Sequence, residues 1–512
     1  MNILFITADQ WRGDCLSAVD HSVVKTPNLD KLASQGVLFK RHYAQATPCA
    51  PSRTSLHTGM YMQNHRCVKN GTPVDNRLNN WAKEVRKIGY DPSLFGYTDT
   101  AVDPRGLSPN DTRLAHYSEP LPGLTNHTPY KQDASVNWVN YLIGKGYAIP
   151  EKRWDLYSEK VDGVDWKDGG EFPLPLAIKK EDHETHFMID KCIDWIKGQN
   201  DSWITHLSLL RPHPPFSAPE PYNRLYDPTT MAQPIRQASR EKESEQHPFL
   251  KQHMEHSEYG SPIPNAGESA ADLTIQQAKA NYYGLMTEVD DNLGRLIEQL
   301  KVTGNWETTL IIFTSDHGEQ MGDHWLLNKL GYFDQSYHVP LIIRDPRAAA
   351  DSTRGTQVDA FSESVDIMPT MLDWLNTDKP DQCDGRSLIP FLHTGIKPDN
   401  WRKEVHWEYD FRSDEGDELE KNLGITAHQC SLSVIRDERY KYVHFTALPP
   451  LFFDLAADPH EFNNLADHPD YQALLLSYAQ KMLSWRMNHT DRGLTEIFLT
   501  SDGPVQRRSE LH

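Results

Sequence analysis

The chain opens with a continuous apolar run, N-I-L-F-I-T at residues 2–7, that stops at Asp9-Gln10, and the same pattern returns three hundred residues later as T-L-I-I-F-T at 309–314, stopping at Ser315-Asp316-His317-Gly318. Runs this short, without alternation, predict strands buried on both faces. Ahead of the second run, Leu285, Val289, Leu293, Leu296 and Leu300 repeat at helical spacing until Gly304 breaks the pattern. Near the first, Thr26-Pro27-Asn28-Leu29 predicts a helix start, with Thr26 as N-cap and Pro27 at the first helical position, and Gly36 is a stop signal. A helix followed by an apolar strand with polar residues at its end is the pattern of a parallel α/β sheet, whose ligands bind beyond the strand carboxyl ends. The two distant strand ends are therefore expected to meet.

Between about 100 and 270 periodicity fades and Pro, Trp, His and charge accumulate, so this stretch is read as long loops and insertions that wall a pocket. From about 400 the pattern changes to E-V-H-W-E-Y-D-F (404–411) and S-L-S-V-I-R-D-E-R-Y-K-Y-V-H-F (431–445), antiparallel strands with a hairpin turn around Asp437-Glu438. A helix near Tyr471 to Met487 and a polar tail follow. The organisation expected is an α/β body over residues 1–400 and a smaller α+β subdomain over 401–512, with no internal repeat.

Composition narrows the function. Across 512 residues, 52 Lys and Arg stand against 72 Asp and Glu, a formal charge of -20, which disfavours nucleic acid or an anionic membrane as partner. An anionic small molecule would have to be held by local positive charge. Six cysteines lack paired spacing, no apolar run approaches a spanning helix, and no charged leader precedes the first strand, so a cytoplasmic protein with reduced thiols is expected.

The chemistry concentrates at the strand ends. Asp9 and Asp316 would each be costly to bury without a compensating cation, and each is followed by a further possible ligand, Gln10 and His317. Three oxygen donors and one imidazole fit a divalent metal, and the nitrogen favours Mn²⁺ or Zn²⁺ over Ca²⁺. Cys49 stands in Q-A-T-P-C-A-P-S-R-T-S-L-H-T-G (45–59). Pro51 suits a first helical turn, which puts Cys49 at a helix N-terminus where an anion is stabilised, and Arg53 can grip an oxyanion with two donors.

The string C-A-P-S-R-T-S-L-H-T-G resembles the sulfatase signature, departing only at His57, where Leu is usual. T-A-D-Q-W-R (7–12), T-P-N-L-D-K-L-A (26–33), S-D-H-G-E (315–319), L-L-N-K (326–329) and L-F-F-D-L-A-A-D-P-H-E-F-N-N-L (451–465) extend the resemblance along nearly the whole chain. It implies the α/β sandwich of the alkaline phosphatase superfamily, with a central mostly parallel sheet and a smaller C-terminal α+β domain. It also implies oxidation of Cys49 to formylglycine (3-oxoalanine) by a formylglycine-generating enzyme, and one divalent metal held by Asp9, Gln10, Asp316, His317 and residue 49, with Mn²⁺ ahead of Ca²⁺ or Zn²⁺.

Within the family the chain is most similar to the phosphonate monoester hydrolases, which also cleave phosphodiesters, through R-P-H-P-P-F (211–216), Y-K-Y-V-H-F-T-A-L-P-P-L-F-F-D-L (440–455) and N-H-R-C-V-K-N (64–70). In the second sulfatase motif, G-Y-D-P-S-L-F-G-Y-T-D (89–99), the usual Lys and His are Tyr97 and Asp99; the phosphonate hydrolases share the Tyr but carry Thr at the last position. An extra carboxylate there would repel dianions. The resemblance implies that one hydroxyl of the hydrated aldehyde attacks phosphorus or sulfur in line and that deprotonation of the second expels the acid and restores the aldehyde. Because that second step never touches phosphorus or sulfur, promiscuity among esters follows. By the same resemblance Arg53, Asn70 and Lys329 contact the nucleophile or the transferred group, Tyr97 its non-bridging oxygens, and His213 the leaving oxygen, in a homodimer or homotetramer. Phosphonate monoesters and phosphodiesters are the first expectation, an arylsulfatase the second. A non-catalytic anion-binding protein with Cys49 left as a thiol is the alternative of another class.

Overall fold

The computed structural model describes residues 1–129, 135–157, 176–256, 268–413, 416–491, 493–495 and 497–506. Its central sheet is built from β1 (Asn2–Ala8), β2 (Val37–Tyr43), β3 (Ser93–Gly96), β4 (Thr125–Pro129), β5 (Ile204–Leu209), β6 (Thr309–Thr314), β7 (His338–Arg344), β8 (Thr356–Val358) and β9 (Ser362–Glu363). The spatial order is β4-β3-β5-β1-β6-β7-β2-β8, with β9 also on β2. All pairings are parallel except those of β7, which runs against both β6 and β2. The two apolar runs are neighbours, Phe5 lying opposite Ile312.

The continuous hydrophobicity of β1 follows from cover on both sides. Leu4, Ile6 and Ala8 face a layer that includes Leu29, Phe187, Val289 and Leu293; Ile3 and Phe5 face the opposite layer, with Leu56, Trp81, Met368 and Leu372. A three-layer α/β/α sandwich results. The early helix spans Pro27–Ser34 with Thr26 at its N-cap, but the Thr26 side chain does not cap it. Asp290, on the long helix Glu268–Val302, accepts from the backbone N–H groups of Asn28 (3.0 Å) and Leu29 (2.8 Å) instead. Gly36 is required by proximity: a Cβ there would lie 2.5 Å from the Ile343 carbonyl oxygen.

The middle of the chain corrects the sequence reading. Between 100 and 270, where loops and insertions are expected, lie β4, β5 and the helix Glu184–Lys197; the parts at 130–134, 158–175 and 257–267 are outside the described residues. β5 even sits next to β1. It hides in the sequence because I-T-H-L-S-L carries buried polar residues whose partners lie elsewhere in the chain: His206 Nε2 lies 3.0 Å from the Thr7 hydroxyl, though its Nδ1 has no partner among the described residues, and Ser208 Oγ accepts from Arg53 at 2.8 Å.

Beyond 400 a second sheet forms from β10 (Val405–Asp410), β11 (Ser431–Arg436), β12 (Tyr440–Phe445) and β13 (Leu451–Asp454), antiparallel in that order, with the turn at 437–439. The helix Gln472–Asn488 lays Tyr478, Met482 and Trp485 on Ile435, Tyr442 and Phe452. The expected polar tail instead contains a hairpin, β14 (Ile497–Thr500) with β15 (Gly503–Gln506), while 507–512 are outside the described residues. No helix among the described residues is long and apolar enough to cross a membrane, and all six cysteines are buried and unpaired.

The two sheets are tied together by a buried ion cluster. Lys441 of β12 donates to Asp334 Oδ1 and Glu461 Oε1, both at 2.9 Å, and Arg436 reaches Asp334 Oδ2 at 3.2 Å. Asp334 follows the segment that carries Lys329. Removing one partner of a buried pair strands the other charge, so Lys441→Met is expected to cost about 3–5 kcal/mol, read as a lower urea midpoint at unchanged slope; an unmoved midpoint would contradict this account of the junction.

Candidate active site

Four adjacent parallel strands deliver the polar residues to one edge of the sheet. Reading across β3-β5-β1-β6, the residues just past the strand ends are Tyr97 and Asp99, then His213, then Asp9 and Gln10, then Asp316 and His317. Gln10 and Asp99 hold left-handed backbone, φ 68° and 48°, a conformation uncommon for residues other than glycine and concentrated at functional sites.

Cys49 is the first residue of a helix, Cys49–Thr58, all ten residues of which are buried. The helix start has no cap of its own, since Pro48 precedes it. Asn70 supplies one from outside, its Oδ1 accepting from the Ala50 N–H at 2.9 Å. Ser52 donates to the Asp316 carbonyl, and Gly59 closes the helix at φ 67°. The helix is thereby bolted to the end of β6, with Cys49 Sγ 3.2 Å from His317 Nε2.

Asp9, Cys49, Asp316 and His317 each place one ligand atom within 4.8 Å of the others, all buried. His317 Nδ1 lies 3.1 Å from the Gly318 carbonyl oxygen, an acceptor, which fixes the proton on Nδ1 and leaves Nε2 facing the cluster, 3.7 Å from both Asp9 Oδ1 and Asp316 Oδ2. Asp9 Oδ1 is buried without a hydrogen-bond partner. An orphaned carboxylate oxygen beside an acceptor-ready imidazole and a second carboxylate fits a divalent cation. Gln10 is adjacent, but its amide oxygen accepts from Lys329 Nζ at 2.7 Å and its Nε2 donates to Glu319.

Arg53, expected to contact the nucleophile or the transferred group, has two of its donors on the carboxylates. Nε donates to Asp316 Oδ2 and Nη2 to Asp9 Oδ2, both at 2.9 Å, while Nη1 serves the Tyr97 carbonyl (3.1 Å) and Ser208 Oγ (2.8 Å). The guanidinium thus bridges the two carboxylates from behind. Tyr97, whose ring lies 4.3 Å from the guanidinium carbon, donates its hydroxyl to Asp9 Oδ2 at 2.5 Å. Burial works to raise Asp9, but His213, Arg53, His317 and Lys329 together outweigh it and hold the carboxyl well below its usual range. Asp99 responds oppositely. Burial first, then Asp9 and Asp316, push it up to about 7 against the pull of Arg53, 3.6 Å away, and its Oδ2 has no hydrogen-bond partner.

Lys329 and His213 face each other across the site. Lys329 Nζ is 3.2 Å from His213 Nε2, and His213 Nδ1 is 2.6 Å from the Pro214 carbonyl oxygen. The ammonium only donates and the carbonyl only accepts, so the ring proton sits on Nδ1 and Nε2 receives. Burial and then Lys329 bring His213 down to about 3, so the ring is neutral at neutral pH.

Sequence reasoning missed two contributors. Glu319 accepts from Gln10 Nε2 and from the backbone N–H groups of Met321 (2.9 Å) and Asn328 (2.7 Å), joining the ends of β1 and β6 to the turn that bears Lys329. The acidic residue two places after His317 in S-D-H-G-E was its visible signal. Ser208 had no such signal, because the strand that carries it does not read as a strand in the sequence.

Comparison with known proteins gives the family. The family model "Sulfatase" matches residues 1–377, and "N-sulphoglucosamine sulphohydrolase, C-terminal" matches 322–488. The multifunctional alkaline phosphatase superfamily protein PehA of Trinickia caryophylli is 43% identical over 99% of both chains, and an arylsulfatase of Clostridium perfringens is 27% identical over 97% of this chain and 96% of its own. The crystal structure of a phosphonate monoester hydrolase of Agrobacterium radiobacter superposes with a TM-score of 0.91 at 45% identity, covering 99% of this chain and 100% of that one. The phosphonate monoester hydrolase of Silicibacter pomeroyi gives 0.92 at 38%, over 99% of each. The chain belongs to the sulfatase family of the alkaline phosphatase superfamily and is a hydrolase acting on ester bonds.

Proposed function

We propose that the chain cleaves monoanionic esters, phosphonate monoesters and phosphodiesters first and aryl sulfates second, using residue 49 as formylglycine and one divalent metal. The observation that carries this reading is the convergence of Cys49, Asp9, Asp316 and His317 within 4.8 Å at the strand ends. The whole-length likeness to two phosphonate monoester hydrolases supports the substrate order. An arylsulfatase is the second reading, supported by the Clostridium relative.

Asp9, Asp316, His317 and Gln10 would hold the metal, with Mn²⁺ favoured by the mixed oxygen and nitrogen donors. The metal would supply Lewis acidity to a hydroxyl on residue 49, and the aldehyde made from Cys49 by a formylglycine-generating enzyme would supply that hydroxyl as a hydrate. Arg53 balances the carboxylates from behind. Asn70 fixes the nucleophile helix, and Tyr97 orients Asp9. The Lys329–His213 pair holds the proton for the leaving oxygen: Lys329 carries it, and an anionic ester in the pocket raises the basicity of His213 Nε2 beside it. In this reading residues 1–400 form the catalytic body and 401–512 a subdomain, in a cytoplasmic enzyme.

Two variants separate nucleophile from ligand. Cys49→Ala is expected to keep its fold and bound metal while turnover falls at least about a thousandfold, whereas Asp316→Ala loses metal and activity together. Peptide mass should show residue 49 lighter by about 18 Da after conversion. An unshifted mass with no turnover in the unaltered protein would leave only an anion-binding protein, and turnover retained in Cys49→Ala would take the nucleophile role away from residue 49.

Asp99 tests specificity. Once ionised, above about pH 7, it disfavours a second negative charge; two unit charges roughly 6 Å apart at an effective dielectric near 20 interact by about 3 kcal/mol, up to about a hundredfold in relative rate. Asp99→Thr should raise phosphate monoester over diester turnover, more at pH 8.5 than at pH 6. The same ratio in both proteins at both pH values would remove Asp99 from specificity.

Assembly into a dimer or tetramer belongs to the same reading. Leu476, Leu483, Met487, Leu494, Phe498 and Leu499 are all exposed along the C-terminal helix and hairpin, more apolar surface than a terminal helix needs. Light scattering at micromolar concentration should show two or four chains; a monomer would refute it.

A further inference from the structure

His213 stands four residues past the end of β5, and the position of its ring depends on the short R-P-H-P-P-F segment around it. Arg211 governs that segment. Its fully buried guanidinium donates through Nη1 to the carbonyl oxygens of His213 (2.7 Å) and Pro215 (2.8 Å), and through Nε to Glu184 Oε1 at 2.7 Å. Glu184 begins the helix Glu184–Lys197, itself packed on the sheet, and its other oxygen accepts the Tyr157 hydroxyl. The Tyr157 ring lies against the guanidinium, 4.5 Å from centroid to carbon.

A buried ion pair is a weak device for stability, since apolar side chains of similar volume often replace one without loss. It is a strong device for orientation, because the planar fork fixes several acceptors at once. Here both Nη1 bonds fall on carbonyls at and just after the residue that bears the imidazole, and the carboxylate that anchors the fork comes from a rigid helix. Displacing a catalytic group by about 1 Å can cost on the order of a hundredfold in rate.

We propose that Arg211 and Glu184 are positioning residues for the leaving-group end of the site, pinning the backbone at His213 and two residues beyond it so that its Nε2 and the Lys329 ammonium face the leaving oxygen. The inference rests on the reading of His213 given above. A donor to the leaving oxygen matters more as the departing alkoxide becomes more basic, which gives a readout that general loosening of the fold does not produce.

The test compares kcat/KM on two methylphosphonate esters, one with a 4-nitrophenyl and one with an unactivated alkyl leaving group. For His213→Ala the expected loss is on the order of a hundredfold with the alkyl ester and under about tenfold with the nitrophenyl ester. Arg211→Lys, which keeps the charge but not the fork, is expected to show the same skew at about tenfold on the alkyl ester. The Arg211→Lys/His213→Ala double variant should be no slower than His213→Ala alone. Equal losses on both esters in Arg211→Lys, or additive losses in the double variant, would overturn the positioning role while leaving His213 in place. An unskewed His213→Ala would overturn the assignment of His213 itself, and the positioning role with it. If Arg211→Lys does not accumulate as folded protein, Glu184→Gln, which weakens the anchor and keeps the arginine, carries the same comparison with the same outcomes.

Discussion

The active-site end of the sheet depends on the balance of buried charge around Arg53. Three carboxylates, Asp9, Asp99 and Asp316, approach one guanidinium that is itself almost wholly out of water. Uncompensated, each would cost several kcal/mol. The arginine covers one oxygen each of Asp9 and Asp316 and leaves Asp9 Oδ1 unpaired. The frame therefore stands with Arg53 on its inner side and asks for a cation on its outer side. Asp99 sits farther from the guanidinium, 3.6 Å away, and burial raises its proton affinity, while at Asp9 burial is outweighed by His213, Arg53, His317 and Lys329 together, which lower it.

Much of this was legible in the sequence because it is carried by contiguous patterns. β1 and β6 are visible as unbroken apolar runs, their ends name Asp9, Asp316 and His317, and the helix start at Cys49 follows from Pro51 and the residues around it. What was not legible is carried by partners far away in the chain. β5 reads as polar because its Thr205, His206 and Ser208 are buried against other residues, His206 against Thr7 and Ser208 against Arg53. The cap of the first helix comes from Asp290 rather than from its own Thr26. Arg53 could be placed near Cys49 by spacing, but the direction of its donors could not, since that depends on β1, β3, β5 and β6 meeting at one edge.

The C-terminal sheet also reaches the chemistry, through backbone rather than through a side chain in the pocket. Lys441 and Arg436 hold Asp334, with Glu461 sharing the Lys441 ammonium, and the chain between Glu319 and Asp334 is the one that presents Lys329. Glu319 fixes one end of that segment and the second sheet fixes the other. The reach of Lys329 toward Gln10 and His213 is thus set by two layers of the protein at once.

Burial of the helix that begins at Cys49 also orders events during synthesis. Cys49 lies 268 residues before His317, the side chain that closes over it. At a translation rate of about 5–20 residues per second, the ribosome needs on the order of tens of seconds to make the intervening chain. Throughout that interval β6 does not yet exist, and the Cys49 side chain has nothing from it to pack against. Any enzyme that must grip this segment in extended form has that interval in which to act, and the completed sheet ends it.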